Sequence, residues 1–223
     1  MHSTSDDDLA GRLRGFGPLG ILAVAIVLAG NFVVPPLSAV LALVWVRLSR
    51  TPWSDIGYVR PRSWAGDLIV GVVFGVALKL VMKAIVMPLL GADPINHAYH
   101  HLAGNTAAAV VFIPAVIIRA GFGEETLFRG YLFERLGRLI GRSPGARSLT
   151  VVLTSVLFGA LHYHDQGLPG AQQAAIVGLV FGTVFAVTGR ITMLMFAHVA
   201  FDLAALAIIY WNLETTVAHL VFR

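Results

Sequence analysis

Two adjacent glutamates and an arginine interrupt a very apolar part of the chain, in the stretch GFGEETLFRGYLFERL (121–136). Charged groups in an apolar medium are costly unless they are paired or functional. Glu125 and Arg129 stand at i,i+4, the spacing of an intrahelical ion pair that would neutralise both. Adjacent helical residues point about 100° apart. Glu124 therefore cannot share that role and is predicted to be an unpaired carboxylate.

Two further motifs carry ionisable groups in apolar sequence. His162 follows Phe158 by four residues, and His198 and Asp202 share one helix face at i,i+4. At about 1.5 Å of rise per residue, these groups and Glu124 lie about 10–20 Å from the cytoplasmic ends of their helices, in the middle of a core about 30 Å thick. Such a set can activate water and stabilise an oxyanion. The alternative is a structural role, as hydrogen-bonding groups between helices.

The composition defines the elements that must position these residues. Of 223 residues, 57% are hydrophobic and 13% are charged, whereas a typical soluble domain is about 25% charged. The sequence therefore predicts an all-α, polytopic transmembrane bundle of about 7–8 helices in contact with the lipid bilayer. The net charge of +4 comes from short arginine clusters between apolar runs. This pattern favours an anionic leaflet over nucleic acid as the partner, and the lack of cysteine excludes thiolate chemistry.

The apolar runs set the expected organisation. Residues 1–15 are predicted to be a disordered tail and residues 16–223 a single membrane-embedded helical domain, with a short last helix within 212–223. Proline separates the first two runs at Pro35. Two arginine-rich loops, at 47–62 and 135–147, are predicted to be cytoplasmic, which places 91–105 and 162–170 outside. The apolar runs are 17–34, 35–48, 66–90, 106–136, 149–163, 171–188 and 191–211.

Taken together, the three motifs resemble the CPBP family, the type II CAAX prenyl endopeptidase and bacteriocin-processing membrane proteins that are also called the Abi family. The family pattern is Glu-Glu-x-x-x-Arg, then Phe-x-x-x-His, then His-x-x-x-Asn/Asp on three helices. The resemblance covers a core of about residues 106–211. The matching positions are Glu124, Glu125, Arg129, Phe158, His162, His198 and Asp202.

The resemblance implies an intramembrane endopeptidase, a hydrolase acting on a membrane peptide or protein. By that similarity, Glu124 is the general base for a water, His162 assists it, and His198 with Asp202 stabilises the oxyanion. Glu125, Arg129 and Phe158 would support the site. In this scheme, Asp202 holds the ring nitrogen of His198 that faces away from the oxyanion.

Metal dependence is a separate question. The family was once classed with metalloproteases, and glutamate-type catalysis is now its usual interpretation. Glutamate and histidine can bind zinc, but the His-Glu-x-x-His motif is absent. We therefore expect no cofactor, with zinc as the alternative. Asp202 also departs from the asparagine that is typical of the prenyl-protease branch, which counts against prenyl-protein processing in particular.

Two other functions stay open from the residues. A proton-coupled carrier also uses buried glutamate and histidine, although no inverted repeat is visible. A non-catalytic immunity or scaffold protein could keep the same fold. The substrate is likewise open, among a prenylated C-terminus, a bacteriocin leader, a pheromone precursor and another membrane peptide. We expect an integral protein of the bacterial plasma membrane.

Overall fold

The structure, a computed structural model, describes the backbone of residues 3–222 and the side chains of residues 7–34 and 36–222. The described residues form helices and contain no strand, which confirms the predicted all-α bundle. Short 3₁₀ turns lie at Trp53–Ile56 and His100–Leu102. The helices are α1 (Ser3–Arg14), α2 (Pro18–Val33), α3 (Pro35–Leu48), α4 (Trp64–Leu89), α5 (Thr106–Ile140), α6 (Pro144–Thr188), α7 (Thr192–Tyr210) and α8 (Glu214–Ala218).

Four of these helices, α4 to α7, are long and apolar enough to cross a membrane, and the count becomes five if α1 and α2 are one bent span. Their outer surfaces carry large apolar side chains that water would not favour, such as Ile69, Val73 and Val111, which are 62–71% exposed. A soluble protein rarely exposes a continuous apolar surface of this size. The chain is an integral membrane protein.

Helix α6 is a hairpin of two antiparallel halves, which agrees with the two apolar runs at 149–163 and 171–188. The backbone leaves the helical region at Gly167, where φ is 64° and ψ is −165°, a conformation that glycine adopts at little cost. The two halves then pack closely. A Cβ at Gly159 would lie 2.7 Å from the Ala171 carbonyl oxygen, and one at Gly178 would lie 3.0 Å from Ser155 Cα.

The first helix differs from the prediction of a disordered tail over residues 1–15, because Ser3–Arg14 is helical. Its last carbonyl groups would have no partner within the helix, and side chains from other helices supply the missing donors. Trp45 Nε1 donates to the Leu13 carbonyl at 3.0 Å, and the buried Arg135 guanidinium donates to the Arg14 carbonyl at 2.7 Å. These long-range bonds anchor a segment whose local sequence is polar.

Helices α4 and α7 pack backbone to backbone through two glycines spaced four residues apart. A Cβ at Gly71 would lie 2.7 Å from the Met193 carbonyl oxygen, and one at Gly75 would lie 2.1 Å from the Ala197 carbonyl oxygen. Small residues at this spacing let membrane helices approach closely. The contact brings α4 beside the His198 motif of α7.

Helix α5 contains wide π-helical turns at Val116–Glu124 and Thr126–Leu132. Pro114 lies just before them and cannot donate a backbone hydrogen bond. Departures from regular α-helix of this kind occur frequently at functional sites. Here they border Glu124 and Glu125.

Candidate active site

Glu125 is fully buried and accepts two hydrogen bonds on a single oxygen. Arg129 donates to Oε1 at 2.9 Å, so the predicted ion pair is present, and His198 Nδ1 donates to the same oxygen at 2.7 Å. The Arg129 guanidinium also lies 4.9 Å from the ring centre of Phe158 and 5.5 Å from that of Phe181. Glu125 therefore joins the arginine of α5 to the histidine of α7 in an aromatic enclosure.

The other ring nitrogen of His198 faces two carboxylates. Nε2 lies 3.8 Å from Glu124 Oε2 and 3.9 Å from Asp202 Oδ2. The prediction that Asp202 holds the nitrogen facing away from the reaction is therefore wrong. Asp202 lies one turn along the same helix and reaches only the Nε2 edge of the ring, whereas Glu125 approaches Nδ1 from the neighbouring helix.

Glu124 is largely buried, with 12% of its side chain exposed. Arg119 Nε lies 3.8 Å from its Oε1, as far as His198 Nε2 lies from its Oε2. Both separations are too long for a direct hydrogen bond. The prediction that Glu124 is unpaired is therefore wrong, because Arg119 lies at ion-pair distance on the same helix, although neither Arg119 nor His198 is directly hydrogen-bonded to Glu124. Sequence reasoning missed Arg119, although it is a single charge in the same apolar run.

His162 is half-buried and is oriented by its own helix. Its Nδ1 lies 2.7 Å from the Phe158 carbonyl oxygen, which can only accept, so Nδ1 carries the proton. The ring also packs edge-on against the Phe158 ring, with centroids 4.4 Å apart. Both contacts follow from the i,i+4 spacing. In the neutral ring, Nε2 is left as a proton acceptor.

These groups line one cavity of about 230 Å³. The four residues predicted to be catalytic, Glu124, His162, His198 and Asp202, all border it, and so does Phe158. Glu125 and Arg129 lie behind them and do not border it. Further polar side chains from α4, α5, α6 and the segment between α4 and α5 line the cavity and were missed by sequence reasoning: Lys79, Asn96, Tyr99, Arg119, Gln166 and Gln173.

Tyr99 belongs to this second polar group and lies outside the membrane-spanning helices. Burial raises the pKa of its hydroxyl, and the Asp202 and Glu124 carboxylates act in the same direction. The hydroxyl stays neutral and accepts a hydrogen bond from Gln166 Nε2 at 3.2 Å. This bond ties the segment between α4 and α5 to the turn of α6.

The arrangement of the donor side chains bears on whether the site can bind a metal. Within the part of the chain that the structure describes, no three histidine, aspartate or glutamate side chains are placed to share one ion. His198 Nδ1 is already hydrogen-bonded to Glu125. A metal bound here would have to use Nε2 together with rearranged carboxylates.

Comparison with known proteins gives one match, to a family model that covers part of the chain. Residues 106–204 match the family model of the type II CAAX prenyl endopeptidases, Rce1-like. This range contains all three motifs and ends two residues after Asp202. Neither the curated proteins nor the solved structures gave a match.

Proposed function

We propose, from the match of residues 106–204 to the family model of the type II CAAX prenyl endopeptidases, Rce1-like, that this chain is an intramembrane endopeptidase that uses Glu124 as its general base. The observation that carries the proposal is the shared cavity, into which α5, α6 and α7 deliver Glu124, His162 and His198. The unmatched residues before 106 supply helix α4 to the same cavity, and the end of α7, beyond the matched range, also lines it.

The proposed first step is attack by water. Glu124 takes a proton from a water in the cavity, and the water oxygen attacks the scissile carbonyl carbon. His162 has its Nδ1 proton on the Phe158 carbonyl. Its Nε2 can therefore accept a hydrogen bond from the same water. When the C–N bond breaks, the proton that Glu124 removed from the water passes to the leaving amine, and His162 Nε2 can relay it.

His198 has the geometry of an oxyanion donor. Nδ1–H is used by Glu125, so Nε2 can donate to an oxyanion only when the ring is an imidazolium. Three carboxylates, Glu124, Glu125 and Asp202, have an oxygen within 4 Å of this ring and would balance its charge. This gives Asp202 a role as a counter-charge, with Glu125 as the group that orients the ring.

The proposal is tested by incubating the purified protein in liposomes with a library of apolar membrane peptides and identifying the products by mass spectrometry. An endopeptidase gives discrete cleavage products. A proton-coupled carrier gives proton flux into the liposomes without products, and a scaffold gives neither. The cleaved sequences supply a peptide substrate for the kinetic measurements on variants.

Asp202→Asn is expected to keep activity within about tenfold of the wild type. Asparagine preserves the shape beside Nε2, and the orientation of His198 depends on Glu125, so only part of the balancing charge is lost. The measurement is kcat/KM for a peptide found in the library, with Asp8→Asn as a control because Asp8 is an exposed carboxylate of α1. A loss approaching that of a Glu124 variant would place Asp202 in the proton transfer itself.

Purified protein is expected to contain no stoichiometric zinc. Each polar group of the site has a role in the proposed chemistry that needs no metal, and the described side chains do not converge on one point. Elemental analysis of active protein measures the metal directly. About one zinc per chain, lost together with activity in His162→Ala or His198→Ala, would overturn the metal-free mechanism and make these histidines ligands.

A further inference from the structure

Lys79 is a buried cation that the proposed chemistry does not use. Its side chain is 5% exposed, and it lies on α4 one turn beyond Gly75, in the membrane. Nζ donates to Gln173 Oε1 at 3.1 Å and lies 4.7 Å from the Phe201 ring centre. Both contacts suit an ammonium group, but neither supplies a negative charge.

The nearby Lys83 shows what a paired lysine looks like in the same helix. Its Nζ donates to the Pro94 carbonyl and lies 4.0 Å from a carboxylate oxygen of the buried Glu214. Among the described residues, no carboxylate lies as close to Lys79 as Glu214 lies to Lys83. A buried charge at membrane depth is retained when it has a partner or a function. The Asp202 and Glu214 carboxylates act on Lys79 through space, but neither is in ion-pair contact with it, so Lys79 can still take an anion as a close partner.

The position of Lys79 connects it to the candidate active site. It lines the same cavity as Glu124 and His198, and it also lines a neighbouring pocket of about 190 Å³ that reaches the segment between α4 and α5. Gln173 lines both as well. Because Gln173 accepts from Lys79 on its amide oxygen, its NH₂ group is still able to donate hydrogen bonds.

We propose that Lys79 and Gln173 bind a carboxylate of the peptide substrate and thereby select which peptides occupy the cavity. The inference rests on the proposed endopeptidase function and adds a substrate class to it, peptides that carry a carboxylate near the cleaved bond. An ammonium–carboxylate contact in a buried site of low dielectric is directional and strong compared with the same contact in bulk water. The carboxylate can belong to the C-terminus or to an acidic side chain.

Binding, rather than cleavage, tests this inference. Immobilised Glu124→Gln protein is exposed to three libraries of apolar decapeptides: free acids without Asp or Glu, the same peptides as C-terminal amides, and amides with one Glu. Retained peptides are counted by mass spectrometry. We expect one of the two carboxylate libraries to be retained about ten- to a hundredfold better than the neutral amides, and the better library identifies the source of the carboxylate.

Lys79→Met in the same background is expected to bring that ratio to about one, whereas Lys79→Arg and the control Arg62→Met, which removes an exposed cation, keep it. If Lys79→Met does not fold, Lys79→Gln is measured in its place. Equal or absent retention of all three libraries, or a ratio that survives the loss of Lys79, overturns the inference. Peptide cleavage by the wild-type protein is measured separately. If the protein prefers carboxylate peptides but cleaves none, the endopeptidase function is contradicted. If it cleaves peptides but does not prefer those with a carboxylate, the role of Lys79 is contradicted.

Discussion

Glu124→Gln is expected to reduce peptide cleavage by about 10²–10⁴-fold, the usual effect of removing a general base. Glutamine has nearly the same shape but cannot take a proton from water. The side chain makes only long contacts, 3.8 Å to Arg119 and 3.8 Å to His198, so the variant should insert and fold like the wild type. The measurement is kcat/KM in liposomes together with thermal unfolding in detergent.

Glu125→Gln is the matched control, one residue away on the same helix. Glu125 bears hydrogen bonds from both Arg129 and His198, so its loss should lower stability and activity together. Only Glu124→Gln should lower activity while leaving stability unchanged. If folded Glu124→Gln protein cleaves peptides near the wild-type rate, Glu124 is not the general base. If Glu125→Gln protein is stable but loses more activity than Glu124→Gln protein, the two residues have exchanged roles.

The features that the sequence predicted well depend on helical spacing alone. Glu125 and Arg129 meet at 2.9 Å because residues four apart lie on one face. His162 bonds the Phe158 carbonyl for the same reason. The sequence also predicted the break between the two apolar runs of α6, since Gly167 and Pro169 interrupt an apolar pattern.

The features that the sequence did not predict depend on which helices pack together. The bond from His198 to Glu125 joins residues 73 positions apart, and no local pattern distinguishes Glu125 from Asp202 as the partner of that ring. Lys79 reaches the cavity because Gly75 lets α4 approach α7. Its charge in an apolar run was a usable signal, since the rule that singled out Glu124 applies equally to it.

Arg129→Ala is expected to be the most destabilising substitution in the site, at about 3–5 kcal/mol in the free energy of unfolding. Arg129 is 2% exposed and Glu125 is 0% exposed, so the variant leaves a carboxylate buried without its cation. The second oxygen of Glu125, Oε2, already has no hydrogen-bond partner among the described residues. The contacts of the guanidinium with the Phe158 and Phe181 rings are lost as well.

The control for this experiment is Arg12→Ala. Arg12 and Asp8 form an ion pair with the same i,i+4 spacing, but their side chains are 64% and 68% exposed. Solvent-exposed pairs contribute about 0–1 kcal/mol, so thermal unfolding in detergent should shift for Arg129→Ala and barely change for Arg12→Ala. Equal unfolding temperatures for both variants would contradict the buried pair. Activity should fall together with stability in Arg129→Ala. Without Arg129, Glu125 no longer holds the His198 ring in a fixed orientation, and Nε2 is then no longer positioned to donate to the oxyanion.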